Sequence, residues 1–314
     1  MNKKILATAI TALLATSAQA ANIYDADGMT VDVSGGIEVF YGNTESDTGN
    51  NDNTIEIDDA DLKFDLAYDL GNDVTAVGYF NIDGNADKTD MGNVYVGFSH
   101  ATMGTLTVGK QDTILDDAGI FSDHEIGISS GVSSSTSSTQ VIKYTFDTGM
   151  FYGGVAYLLN NSVATETDNS VIDGKIGVIV EDFDLTLYAG QETDYLDSDS
   201  GVVMDRTNVL FEVKYSLADL DLGAFIGQAS LDAGVADVDV TSYGLSVAYQ
   251  IDKVGLAAGF SSNDADVAGV DSVETYVANV DYAFTSNVSV YAEVGGDSVD
   301  NSDTLYNLGM VVSF

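Results

Sequence analysis

Cysteine, proline and tryptophan are all absent from the sequence, and basic residues are scarce, with 10 lysines and arginines against 50 aspartates and glutamates. Without cysteine the chain can build neither a disulfide framework nor a thiolate zinc site. Without proline every residue keeps its N–H for a sheet ladder, which suits a chain made almost wholly of strand. No apolar run approaches the roughly 20 residues that a helix needs to cross a bilayer. So acidic a chain repels the phosphates of nucleic acid, which excludes that partner. Only two histidines, His100 and His124, are available for catalysis or metal binding. Neither stands where a nucleophile, a base and an oxyanion site would be expected together, so no enzyme, cofactor or metal centre is expected.

The sequence is instead rich in glycine, tyrosine and phenylalanine, with 32, 17 and 13 of them. Its first segment has Lys3 and Lys4, an apolar stretch over residues 5–15, and Ser17, Ala18, Gln19 and Ala20. That is the pattern of a secretory signal with a small-residue cleavage site, giving a signal peptide at 1–20 and a mature chain at 21–314. Removing Lys3 and Lys4 leaves 50 acidic against 8 basic residues, a formal charge of −42. The acids are spread through the chain and do not form the blocks typical of a disordered tail.

Periodicity supplies the fold class. Leu62, Phe64, Leu66 and Tyr68 alternate with Asp61, Lys63, Asp65 and Ala67. Val209, Phe211, Val213 and Tyr215 alternate with Leu210, Glu212, Lys214 and Ser216, and Tyr276, Ala278, Val280, Tyr282 and Phe284 with Val277, Asn279, Asp281 and Ala283. A two-residue period with one apolar face marks strands; Leu210 and Val277 break it.

Connection lengths then alternate between short and long. Short turns fall near residues 70–73, 100–103, 147–150, 181–182, 217–219, 251–253 and 284–287. Longer polar loops lie near 43–54, 84–91, 112–139, 160–169, 191–205, 232–238, 262–271 and 300–302. Tight periplasmic turns and long outer loops are the asymmetry of an outer-membrane barrel. Seven turns and eight loops give 16 strands. The expected fold is therefore all-β, a 16-stranded antiparallel transmembrane β-barrel with both termini periplasmic, wide enough to hold water. In the last strand Tyr306, Leu308, Met310, Val312 and the terminal Phe314 share one face, which puts aromatics near both membrane interfaces.

Ala21 to Gly28 (ANIYDADG), Leu106 to Lys110 (LTVGK) and Gly309 to Phe314 (GMVVSF) resemble landmarks of the general porin family, most closely porins of marine gammaproteobacteria. The resemblance implies a homotrimer, an inward-folded third outer loop that narrows each barrel, and a C-terminal assembly signal at Phe314. The third loop, residues 112–139, is by far the longest, which independently marks it as more than a connector. Its candidate constriction acids are Asp116, Asp117, Asp123 and Glu125, beside Ile120, Phe121, Ile126 and Ile128, which would anchor the loop on the wall. A flexible Ser/Thr-rich return segment follows at 129–139. The resemblance also implies wall arginines facing the loop, but the corresponding positions hold Asp61, Asn93 and Ser137. The expected wall charges are Asp61, Lys63, Asp65, Lys110, Lys143, Glu212 and Lys214.

The function expected is a water-filled, cation-preferring diffusion pore for small hydrophilic solutes, in contact with outer-membrane lipid and lipopolysaccharide. A solute-specific channel would call for an aromatic track along the lumen, for which Tyr95 and Tyr291 are the inward candidates. An adhesin or structural barrel with a plugged pore is the other rival. Acidic stretches at 194–199 and 263–266 could offer oxygen ligands to calcium, but neither fits a known loop pattern, and solvated outer loops are the preferred reading.

Overall fold

The computed structural model describes residues 20–43, 53–86, 88–128, 134–159, 169–197, 201–234, 237–300 and 302–314. The signal segment up to Gln19, residues 129–133 of the return segment and part of the acidic stretch at 194–199 lie outside the described residues.

A short strand β1 (Ala21–Ala26) is followed by β2 (Met29–Asn43), β3 (Thr54–Gly71), β4 (Val74–Gly84), β5 (Thr89–His100) and β6 (Gly104–Asp112). After the third outer loop come β7 (Ser137–Asp147), β8 (Phe151–Leu158), β9 (Ser170–Val180), β10 (Phe183–Leu196), β11 (Val203–Leu217) and β12 (Leu220–Asp232). The chain ends with β13 (Asp237–Ile251), β14 (Val254–Ala265), β15 (Val273–Thr285), β16 (Val288–Asp297) and β17 (Leu305–Ser313). Each strand from β2 pairs antiparallel with the next, and β17 returns to pair with β2, closing a barrel of 16 strands, β2 to β17. Closure leaves no unpaired edge, the only way a sheet can satisfy its backbone in lipid. Among the described residues the one helical element is the 3-10 turn Leu115–Asp117.

Alternation sets the two faces. Val280, Ala292, Leu308, Tyr41 and Ile55 form one continuous outward row across β15, β16, β17, β2 and β3. The next row, Asp281, Tyr291, Gly309, Phe40 and Glu56, points inward. The outer face is apolar and exposed, with Leu245, Val96 and Ile226 each about 60% exposed or more. In water that much apolar surface would be costly, and in a membrane it is solvated by lipid.

The seven short turns fall where the connection pattern places them. Several use left-handed residues, namely Asn72 and Asp73, Glu181, Ala218 and Asp252. The chain's two ends meet on a single edge of β2. Ser313 of β17 lies opposite Gly36, while Ala21 of β1 lies opposite Val33. Between them Gly35 and Phe314 exchange both backbone hydrogen bonds, at 3.0 and 2.9 Å. A side chain at Gly35 would reach within 2.9 Å of the Phe314 ring, so glycine there lets the terminal aromatic lie flat on the outer wall.

Candidate pore constriction

The third outer loop turns into the barrel at Thr113 and leaves it near Thr136, where the Thr113 N–H donates to the Thr136 carbonyl at 2.6 Å. Between these points its described residues, 114–128 and 134–135, lie along the inner wall from β8 to β16, and apolar packing and wall carboxylates hold them there. Ile114, Leu115 and Ile120 are almost fully buried against Val141, Leu158, Val171, Tyr188, Leu210 and Phe225. Ile126 seats on Val277 and Leu305, with Ile128 beside them. A side chain at Gly154, Gly190, Gly223, Gly259 or Gly295 would collide with Ile114, Leu115, Ile120, Phe121 and Ile126 respectively. These glycines stand on β8, β10, β12, β14 and β16, so every second strand offers a gap for one apolar knob of the loop.

The wall acids answer the loop's backbone. Asp173 accepts the N–H groups of Ile114 and Leu115 at 3.0 and 3.4 Å. Glu293 accepts those of His124, Glu125 and Ile126 at 2.7, 2.9 and 2.9 Å, and the Asn307 amide at 3.0 Å. Glu192 takes the N–H and hydroxyl of Ser135 at 3.2 and 2.6 Å. Wall donors complete the fastening, Ser246 to the Ile120 carbonyl at 2.6 Å, Asn279 to that of Ser122 at 2.5 Å and Tyr188 to that of Asp117 at 3.1 Å. His124 stacks on Tyr291 with ring centres 3.5 Å apart, and its Nε2 lies 2.8 Å from Asp281. This histidine is thus an anchor of the loop.

The four loop acids occupy three different settings. Asp116 and Asp117 are exposed to the lumen, but Asp117 is paired with Lys175 at 2.5 Å. Asp123 turns back to accept the Ile128 N–H at 3.2 Å, and burial pushes its carboxyl up from the ordinary range. Glu125 extends past the end of the loop's seat on β16 to the neighbouring β2 and β3, where one carboxylate oxygen each of Glu125, Glu38 and Asp58 lie within 4.8 Å of one another. Burial first, and then the charges of Asp58 and Glu38, raise its pKa to about 8. A cation could bridge three such oxygens.

On the wall, Lys63 and Asp61 pair at 3.6 Å, and Asp65 lies opposite Asp32. Lys143 faces the lumen but donates to the carbonyls of Asp112 and Thr113 at 3.1 and 3.3 Å, tying down the base of the loop. Glu212, only 1% exposed, lies beneath the loop 3.8 Å from Lys214. Asn93 holds the Asp112 carboxylate at 2.7 Å, and Ser137 pairs with Asp112 at the start of β7. Lys110 departs from expectation. It alternates with the inward Thr107 and Gln111 and lies opposite the exposed Val94, so it stands on the outer face and donates to the Met91 carbonyl.

Two further cations stand on the inner wall, beyond those the sequence pattern singles out. Lys175 sits between the rings of Tyr152 and Tyr188, 5.9 and 5.7 Å from their centres, and Arg206 lies over Tyr195 at 3.2 Å, 3.6 Å from Glu192. Parity alone could have found Lys175, since it alternates with the outward Ile172 and Ile176. Glu38 and Asp58 flank a register shift between Ile37 and Val39, which hides their facing from a strict two-residue count. Where the loop does not lie, β2 to β7 border an open cavity of about 650 Å³.

A closed 16-stranded barrel narrowed by an infolded third loop is the architecture of a diffusion channel, and a Gram-negative porin family model matches residues 7–303. The chain belongs to the Gram-negative porin family. It is 31% identical to porin-like protein H of Photobacterium profundum, with 100% of both chains covered. It is 26% identical to the major outer membrane protein of Pasteurella multocida, again over 100% of both. Among solved structures, the trimer form of OmpT, an outer membrane protein of Vibrio cholerae, superposes with a TM-score of 0.75 at 20% identity, covering 92% of this chain and 100% of that one. The protein is an outer-membrane porin.

Proposed function

We propose that this porin is a general diffusion channel with a strong preference for cations. The observation that carries the reading is the use made of the lumen's few cations. Lys63, Lys175, Arg206, Lys143 and Lys214 all pair with groups of the wall or the loop, whereas Asp116, Glu38, Asp58, Asp32 and Asp65, joined by Glu125 once it ionises near pH 8, pair with no lysine or arginine among the described residues. Fixed carboxylates in a confined aqueous space concentrate cations and exclude anions, and salt screens the effect.

The precursor is read as losing residues 1–20. Support comes from the sheet pairing that begins at Ala21, and from the signal-like pattern before it. Assembly as a homotrimer is supported by the trimer form of the Vibrio cholerae neighbour, and Phe314, seated over Gly35 on the closing edge, is the proposed assembly signal. Outer-membrane lipid and lipopolysaccharide are its surroundings, and small hydrophilic solutes its cargo. No catalytic role is proposed.

Reversal potentials of the purified protein in a potassium chloride gradient test the selectivity. The wild type should sit close to the potassium potential at low salt and move away from it as salt rises. Replacing Asp116, Asp117, Asp123 and Glu125 with their amides should move it towards zero. A channel preferring chloride would overturn the reading, and a barrel that never conducts would favour a plugged structural role.

A further inference from the structure

The open half of the lumen has a built interior. One inward row runs Asp32, Asp65, Tyr79, Tyr95 and Gly109 across β2 to β6. The row beneath it runs Thr30, Ala67, Val77, Gly97 and Thr107. Tyr79 and Tyr95 stack with ring centres 5.2 Å apart and planes within 16°. The step from two large rings to Ala67, Val77 and Gly97 leaves a recess, which is part of the cavity of about 650 Å³. Thr30, Thr105, Thr107 and Thr145 ring it with hydroxyls.

The charge at one end is unanswered. Asp32 and Asp65 lie directly opposite each other, and like charges so placed repel. Among the described residues neither pairs with a lysine or arginine. The one neutral donor is the Asn22 amide, 2.8 Å from Asp32. The inward Lys63, two residues along β3 from Asp65, is engaged by Asp61 at 3.6 Å, and Lys143, which borders the same cavity from β7, donates to the carbonyls of Asp112 and Thr113. Both lysines already have partners, so a zwitterion's carboxylate would have to displace one of them. A neutral sugar would use the rings but leave the two carboxylates facing each other uncompensated. An inorganic cation would answer the carboxylates and make no use of the rings or the apolar floor.

We propose that this recess is a subsite for small organic ammonium ions, with the ammonium group against Asp32 and Asp65 and the apolar part on the Tyr79 ring, Ala67 and Val77. Tyrosine faces attract such cations through the ring quadrupole, and carboxylates add to the attraction. The subsite rests on the open-pore reading above. It would make the pore retain organic cations briefly on their way through, which free diffusion alone does not.

The test uses choline and its uncharged isostere 3,3-dimethylbutanol, added to single channels conducting potassium chloride in a planar bilayer. Choline should lower potassium conductance saturably, and the alcohol should not. Tyr79→Leu and Asp65→Asn should each raise the half-blocking concentration roughly fivefold to tenfold, referred to each variant's own conductance. Tyr79→Phe, which keeps the ring, should retain the block and serves if the leucine variant fails to assemble. Block by the alcohol as strong as by choline would overturn the proposal. So would a choline effect that never saturates in a channel that still prefers cations, which leaves the porin reading intact. A protein with no conductance at all would remove the open-pore reading instead. Calorimetric titration of choline into the detergent-solubilised protein then decides the subsite, heat lost in Asp65→Asn supporting it and no heat in the wild type refuting it.

Discussion

Glu293→Gln should loosen the second half of the constriction loop while leaving the barrel closed. The carboxylate is 3% exposed and accepts three consecutive loop N–H groups plus the Asn307 amide. Glutamine offers one carbonyl oxygen in place of two acceptors, and its NH₂ must face a donor. At least one buried loop N–H then loses its partner, at about 1–3 kcal/mol. The two loop bonds that remain lose their charge assistance, at about 1 kcal/mol each. The local cost is about 3–5 kcal/mol, set against a sheet ladder in which the Glu293 side chain takes no part. Hydrogen exchange read at His124, Glu125 and Ile126 measures this directly. Opening at those amides should become more frequent by a factor of about a hundred or more, while amides of β15 to β17 keep their protection. Single-channel records should show added noise as the loop leaves the wall. Equal protection of the three amides in wild type and variant would refute the idea that Glu293 fastens the loop.

Glu125, with its pKa raised to about 8, should give the channel a pH-dependent selectivity. Cation preference should rise between pH 7 and 9 as this carboxyl ionises, a step missing from Glu125→Gln in reversal-potential measurements. The same raised value means that the folded loop holds its proton more tightly than the unfolded chain. Its anchoring is therefore unaffected below the ordinary carboxyl range, weakens as pH climbs towards 8, and carries a constant penalty above. Lys175→Met should free Asp117 from its 2.5 Å partner and shift the reversal potential further towards that of potassium; adding Asp117→Asn should cancel the shift, a double-mutant cycle read as selectivity. Gly259→Val would place a side chain within 2.6 Å of Phe121 and 3.0 Å of Ile128, so circular dichroism should report an intact barrel while single-channel conductance changes.

The barrel was legible because its determinants are local. A two-residue period and alternating connection lengths are written in consecutive residues, and they lead to the 16 strands of the closed barrel, though not to the short β1 that pairs beside it on β2. Facing was legible wherever the period runs unbroken, as at Lys143 and Lys214. The place of Lys110 at the start of the loop suggests a wall charge, but its own parity with Thr107 and Gln111 turns it outward. The register shift between Ile37 and Val39 concealed the meeting of Glu38, Asp58 and Glu125. What the sequence could not express is which residues meet across the lumen, since loop and wall are separated by as many as 169 positions.

The two residues that broke the alternation mark where the loop rests. Leu210 and Val277 are apolar on a face that otherwise carries polar groups, and each is buried in a cluster with the loop, Leu210 with Ile114, Leu115 and Ile120, and Val277 with Ile126. An apolar residue facing a water-filled lumen would gain nothing by its position, whereas one covered by the loop removes apolar surface from water on both sides of the contact. The same logic explains why so many acids of the inner wall are not available to permeating ions. Asp173, Glu192 and Glu293 are nearly fully buried and spend their oxygens on loop donors. The excess of carboxylates therefore divides into two populations by position. Beneath the loop, from β9 to β16, they fix the width of the pore by holding the loop's backbone. On the open side, from β2 to β6, they face the solution, where their charge acts on whatever passes. Selectivity is thus expected to respond to the second population and gating noise to the first, and exchanging the two effects, with Asp65→Asn raising noise and Glu293→Gln changing only selectivity, would contradict this division.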